Sequence, residues 1–147
     1  RNMSLRIAIG GDHAGFEMKQ YILKWLQEQQ FGTADFGPYT TESFDYPDSV
    51  HPLADAVEKK AFDFGILICG SGNGVCMTAN KHNGIRAGLV WNEEIAELIR
   101  LHNDANIICL PARFISEEQG LSIVKKFLTT EFEGGRHQRR IDKMMNC

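Results

Sequence analysis

Cys69-Gly70-Ser71-Gly72-Asn73-Gly74 ends an apolar run with a thiol and follows it with three glycines at alternate positions. Alternating glycines let a backbone turn tightly and bring amide N–H groups toward one point. A helix start expected just after the loop adds partial positive charge there. That arrangement suits an anion. A thiolate beside amide donors also suits removal of a proton next to a carbonyl, with the donors holding the resulting oxyanion. Two plainer readings compete: strand-end cysteines are more often inert core, and glycine-rich turns are often simple connections. The loop fails the nucleotide fingerprints, because its third glycine comes one residue early for G-x-G-x-x-G and no phosphate-loop lysine follows at the required spacing. Ser71 reads either as a hydroxyl that returns a proton or as an ordinary loop serine.

Other residues carry possible chemistry at lower specificity. Asp12 and His13, between Gly11 and Gly15, read equally as a helix cap or as hydrogen-bonding groups for a hydroxylated ligand. Tyr46 precedes Pro47, which favours an extended backbone there, and either lines a pocket or packs on its edge. His102-Asn103-Asp104 ends a helical pattern; a histidine at that end is electrostatically favourable without any function, and Asn103 is a common left-handed terminator. Arg136 and Arg140 are four apart and share one helix face that could grip a phosphate, with Arg139 close by. Basic faces are more often merely solvated. Arg113 is a further cation, after the last apolar run.

The elements that must hold these residues follow from periodicity. Strands are expected at Leu5–Gly10, Thr33–Phe36, Phe64–Cys69, Ile85–Val90 and Ala105–Leu110. Helices are expected from Phe16 to Gln30, from a cap at Asp48 or Ser49 to Lys60, and from the glycine loop to Lys81. Three more run from the Asn92 cap to about His102, from the Ser116 cap to about Leu128, and from Arg136 to Met144. Alternating strands and helices imply a parallel sheet covered on both faces, with a ligand outside the carboxyl ends of its strands. Asp12, Cys69 and Arg113 all follow strands. They should gather along one edge.

Length and composition set the outer bounds. A chain of 147 residues reads as one domain over 3–147, with Arg1 and Asn2 as an addition ahead of Met3. A hydrophobic fraction of 43% and a formal charge of −3 fit a water-soluble protein, with no reason to expect nucleic acid or a membrane as partner. No run approaches the roughly 20 apolar residues of a membrane span, and no secretory leader is visible. Cys69, Cys76, Cys109 and Cys147 show neither metal-knuckle nor disulfide-framework spacing, so a reduced, cytoplasmic protein is expected.

Six motifs occur in order: Gly11-Asp-His-Ala-Gly15, Asp45-Tyr-Pro47, Cys69 to Gly74 with Ala79-Asn-Lys81, Gly84-Ile-Arg-Ala87, His102-Asn-Asp-Ala-Asn106, and Glu133-Gly-Gly-Arg-His-Gln-Arg-Arg140. Together they resemble the type B ribose-5-phosphate isomerases, in the sugar-phosphate isomerase family that includes allose-6-phosphate and galactose-6-phosphate isomerases. The resemblance spans nearly the whole chain. It implies a three-layer α/β/α Rossmann-like sandwich with a five-stranded parallel sheet, and cofactor- and metal-free aldose–ketose isomerisation through a cis-enediol(ate). It implies Cys69 as base, Gly70, Gly72, Asn73 and Gly74 around an anion hole, and Ser71 assisting proton return. Asp12, His13 and Tyr46 would bind the sugar, His102 would help open the ring with Asn103 beside it, and Arg113, Arg136 and Arg140 would hold the phosphate. In this family the site forms between subunits, so His102 and the arginines would come from a partner in a homodimer or tetramer, reached by the C-terminal helix. One branch uses a glutamate just after the glycine loop. Here that position is Val75, which leaves the base to Cys69. Six-carbon sugar phosphates, a silent binding subunit and, least favoured, a nucleotide-dependent oxidoreductase stand as alternatives.

Overall fold

The computed structural model describes residues 5–147. The expectation for Arg1 and Asn2 therefore lies outside the described residues. Five strands, β1 (Arg6–Gly11), β2 (Gly32–Asp35), β3 (Phe64–Cys69), β4 (Ala87–Leu89) and β5 (Ile107–Pro111), form one sheet in the order β2-β1-β3-β5-β4. Every neighbouring pair is parallel. The helices are α1 (Phe16–Glu28), α2 (Pro47–Glu58), α3 (Asn73–Ala79), α4 (Glu93–Leu101), α5 (Glu117–Thr129) and α6 (Arg136–Met144). Among the described residues, no helix is long and apolar enough to cross a membrane.

The strands are apolar at every position because both sheet faces are covered. Ile7, Ile9, Ile66, Ile68, Ile108 and Leu110 point to one face, where α1, α4 and α5 bring Met18, Ile22, Leu26, Ala96, Ile123, Val124 and Phe127. Ala8, Leu67, Cys69, Ile107 and Cys109 point to the other, against Val50, Leu53, Ala54 and Val57 of α2 and Val75 and Ala79 of α3. This is the expected α/β/α sandwich. Strand order reverses between β1 and β3, so the carboxyl ends of those two strands flank the topological switch point.

Several local expectations are corrected. Neither Asp48 nor Ser49 caps α2; the helix starts one to two residues earlier with Pro47 in its first turn. Ser49 is buried, and its hydroxyl donates to Gly11 O at 2.6 Å, so it ties α2 to the end of β1. Tyr46, the residue before α2, is helical (φ −57°, ψ −34°) rather than extended, because its carbonyl already accepts from Ser49 N at 3.1 Å and Val50 N at 3.0 Å. After α4 the left-handed residue is Asp104 (φ 47°), not Asn103; the Asp104 carboxylate accepts from Arg100 at 2.8 Å and so steadies that turn. The helix after the glycine loop ends at Ala79, short of Lys81. The expected caps at Asn92 and Ser116 form, the latter as a reciprocal capping box with Gln119.

The end of β1 approaches β3 closely. Asp12 N donates to Ile68 O at 3.1 Å, and a Cβ added at Gly11 would fall 2.0 Å from that same oxygen. Gly11→Ala must push the two strand ends apart. Overpacking of this kind costs about 1–3 kcal/mol. The expected outcome is a lower urea midpoint at unchanged m-value; an unshifted midpoint would show that the approach is easily relaxed.

Candidate active site

β1, β3 and β5 each release the chain at the same edge, and their loops enclose a cleft of about 470 Å³ lined by Asp12, Tyr46, Cys69, Gly70, Ser71, Gly74, Arg113 and Phe114. Cys69 is the last residue of β3 and 5% exposed, so the sheet fixes it while the cleft reaches it. Its surroundings are pinned by main-chain bonds. Ala112 N donates to Cys69 O at 2.9 Å and Arg113 N donates to Gly70 O at 3.0 Å. Arg113 is held in the cleft of its own chain, its guanidinium beside Gly70. The expectation that Arg113 arrives from a partner is thereby corrected: it sits two residues beyond β5, the neighbour of β3.

The glycine loop turns at Gly72 (φ 77°), the N-cap residue of α3. Ser71 Oγ accepts from Asn73 N and from the Asn73 side-chain amide, both at 3.3 Å. Among the described residues the Ser71 and Gly72 amides donate to no protein acceptor; Ser71 lines the cleft beside Cys69, while Gly72 is buried against Leu89 and Leu110. Gly74 leaves room for Tyr46: an added Cβ would lie 2.4 Å from the phenol ring. Val75 is fully buried in the core and presents nothing to the cleft.

Asp12 meets both readings. Its carboxylate accepts from Ala14 N at 2.9 Å and Gly15 N at 3.2 Å, capping a short 3₁₀ turn over His13–Gly15, and the residue still lines the cleft. His13 Nδ1 accepts from Phe44 N at 3.0 Å, so a neutral His13 carries its proton on Nε2. That bond also fastens the loop leading to Tyr46. Phe114, 75% exposed on the cleft rim, was missed by sequence reasoning. Its place just after Arg113 was the available signal.

The remaining residues are not brought to this cleft within the chain. A helix after a parallel strand returns the chain to the opposite end of the sheet, which is where α4 ends and His102 lies. His102 stacks on His137, ring centroids 4.3 Å apart and planes 16° from parallel. Asn103 lines a different groove, of about 490 Å³, between the β4 edge and the C-terminal Met144 and Met145. Arg136 and Arg140 are exposed on α6, which buries only His137 and Ile141. Arg100 fixes this region: it donates to Thr130 O at 3.1 Å and Ala105 O at 2.8 Å, while Glu133 N donates to Leu101 O at 3.1 Å.

Two further thiols lie behind Cys69. Cys109 of β5 is fully buried, and burial pushes its pKa well up, with Cys76 as the next cause. Cys76 on α3 is shifted the other way, because a hydrogen bond from the Cys109 thiol favours its thiolate and outweighs its partial burial. Cys76 should accordingly alkylate at lower pH than an ordinary thiol. Cys109→Ala removes the donor and should move the pH midpoint for iodoacetamide labelling of the Cys76 peptide upward, read by mass spectrometry. An unmoved midpoint would rule out Cys109 as the cause.

The ribose/galactose isomerase family model matches residues 7–144. The chain is 48% identical over 145 residues to the probable ribose-5-phosphate isomerase B of Mycoplasma genitalium, covering 97% of this chain and 95% of the relative. It is 44% identical to the corresponding Mycoplasma pneumoniae protein, at the same coverages. A solved ribose 5-phosphate isomerase from Thermotoga maritima matches with TM-score 0.96 and 43% identity over 98% of this chain and 99% of that one. The Mycoplasma genitalium enzyme, solved with bound ribulose-5-phosphate, matches with TM-score 0.93 and 48% identity over 98% and 96%. With the match running from β1 into α6 and the sheet order intact, this chain belongs to the ribose/galactose isomerase family.

Proposed function

We propose that this chain is an aldose–ketose isomerase that interconverts ribose 5-phosphate and ribulose 5-phosphate. The observation that carries the reading is the position of Cys69, fixed at a strand end and opening into the same cleft as Gly70, Ser71 and Gly74 of the glycine loop, where the Ser71 amide has no protein acceptor. The likeness to a relative solved with bound ribulose-5-phosphate supports it. With the sugar ring opened, the Cys69 thiolate takes the proton from C2 of the aldose. The electron pair moves to form the C1–C2 double bond, and the C1 oxygen becomes the enediolate oxygen held by the loop amides. The Cys69 thiol then returns its proton to C1 as the C2–O2 double bond forms, and the O2 proton passes to O1 with the assistance of Ser71, which leaves the ketose and regenerates the thiolate. Donors at such an oxyanion are worth about 10²–10³ in rate each, and a positioned base about 10²–10⁴.

Asp12, His13 and Tyr46 bind the sugar hydroxyls in this reading, and Asn73 shapes the loop around Gly70 and Gly74. Arg113 meets the phosphate from within the chain. His102 opens the ring with Asn103 beside it, and Arg136 and Arg140 complete the phosphate clamp, all from a partner subunit. The separation of these residues from Cys69 within one chain, and the exposed arginines of α6, support a homodimer or tetramer with shared sites. The single domain over 3–147 acts without cofactor or metal. Four free cysteines support a cytoplasmic setting.

Cys69→Ser should lower kcat/KM for ribose 5-phosphate by about 10²–10⁴ in metal-free buffer, while a loss below tenfold would remove Cys69 as base. The same panel should include allose 6-phosphate and galactose 6-phosphate, since a preference for either selects the six-carbon reading. Arg136→Ala should chiefly raise KM, by about 10–100-fold for one charged hydrogen bond; a pure kcat effect would contradict a phosphate role. Co-expressing Cys69→Ala and His102→Ala chains should restore about one quarter of wild-type activity, because half of randomly paired dimers hold one intact site out of two. No restoration would place each site within a single chain.

A further inference from the structure

Where α4 ends and α6 begins, three metal-binding side chains converge outside the Cys69 cleft. Each of His102, Glu133 and His137 offers one ligand atom, and these atoms all lie within 4.8 Å of one another. His137 Nε2 is 3.2 Å from Glu133 Oε1, and His102 Nε2 is 3.8 Å from the same oxygen. A tetrahedral metal with bonds of about 2.0–2.1 Å would space its ligands roughly 3.3 Å apart, so the two separations from Glu133 need little adjustment, while the two histidine ring nitrogens, within 4.8 Å of each other, close by a turn of one ring. The backbone holds the trio: Glu133 N donates to Leu101 O at 3.1 Å, His102 N to Leu98 O at 2.8 Å and His137 N to Gly134 O at 3.2 Å.

A second observation points to a ligand. The His137 side chain is 8% exposed, and its Nε2 is buried with no hydrogen-bond partner, since Glu133 Oε1 is near enough but badly aligned. A buried ring nitrogen without a partner is costly and calls for an explanation. A coordinate bond would satisfy it. His102, 40% exposed, is free to turn its ring from the stack toward the same point.

We propose that His102, Glu133 and His137 bind one divalent cation of the zinc class, with water completing the shell. Two imidazoles and one carboxylate suit zinc or its neighbours and disfavour magnesium and calcium, which prefer all-oxygen shells. The exposed arginines of α6 repel a bare charge, so the bond must come from nitrogen coordination. The metal is not a catalyst. Its regulatory consequence rests on the isomerase reading above: a His102 whose Nε2 is bound to metal has lost that nitrogen for proton transfer to a sugar ring and is held in place by the metal, so zinc switches the site off until a chelator removes it.

Competition between the full-length protein and a chromophoric chelator for Zn²⁺ tests the site, together with the visible absorption of Co²⁺ in its place. Expected are one Zn²⁺ per chain, intense d–d bands of four-coordinate Co²⁺, and no displacement by millimolar Mg²⁺. Glu133→Gln, at an exposed position, and His137→Asn should each weaken binding by more than the roughly 10–100-fold that loss of an outer partner costs. His82→Asn, in the separate His51–His82 pair, should leave binding unchanged. No stoichiometric zinc, or unchanged affinity in both Glu133→Gln and His137→Asn, overturns the proposal, the latter result assigning the metal to thiols or other histidines. Reversible zinc inhibition of isomerisation, relieved in Glu133→Gln, supports the switch. Zinc bound at the trio with no loss of rate keeps the metal site and overturns the role of His102 in catalysis.

Discussion

Three main-chain hydrogen bonds around one residue set the geometry of the site: Asp12 N to Ile68 O, Ala112 N to Cys69 O and Arg113 N to Gly70 O. They extend the pairing of β3 with β1 and β5 just past the ends of the strands. The Cys69 backbone is thus held from both sides where the sheet would otherwise fray. A reactive group on a rigid strand end keeps its orientation better than one on a loop. Any loop residue that enters the cleft does so relative to this fixed frame, including Asp12 from one flank and Arg113 from the other.

The sheet order determines which loops can meet. Because β1 lies beside β3 and the chain leaves β1 in the other direction to reach β2, no connection covers the gap above them. Tyr46 closes one side of that gap, carried by α2 and seated on Gly74, and Ser49 ties the same helix to Gly11 O. A short helix, α3, then begins at the floor of the cleft, with its first amide turned to Ser71 Oγ and its Gly74 at the cleft wall. At the loop the cleft is electropositive from backbone dipoles and the Arg113 guanidinium, while the Asp12 carboxylate on the opposite flank is occupied by the Ala14 and Gly15 amides.

Much of this was legible because the relevant signals are local. The unbroken apolar runs in β1 and β3 identify doubly covered strands, and the caps at Asn92 and Ser116 are read directly from residue type. That strand-end residues share an edge follows from parallel topology alone, so Asp12, Cys69 and Arg113 could be grouped before any coordinates. What stayed hidden depends on tertiary contact. Ser49 looks like a cap but is recruited by Gly11 O; Tyr46 looks extended but enters α2; Asn103 looks like the left-handed turn, yet Asp104 takes it because Arg100 binds its carboxylate. Phe114 had only its place beside Arg113 to mark it, and Glu133 and His137 lay within a motif with nothing to say that they would meet His102. Their neighbours come from distant segments, and only packing reveals them.

On the isomerase reading proposed above, packing explains why a thiol and not a carboxylate would serve as base. A carboxylate placed at position 75 would project from α3, but here that position is completely buried between α3 and the sheet. An ionised group there would lose its hydration without gaining a partner. Valine instead completes the core under the loop, and the proposal gives the task to a residue that is small, apolar when protonated and already at the cleft wall. A thiol fits both demands, since Cys69 packs as core on one side and reaches the cleft on the other. The stability of the sheet and the reactivity of its end are then compatible in one side chain, which a buried carboxylate could not achieve.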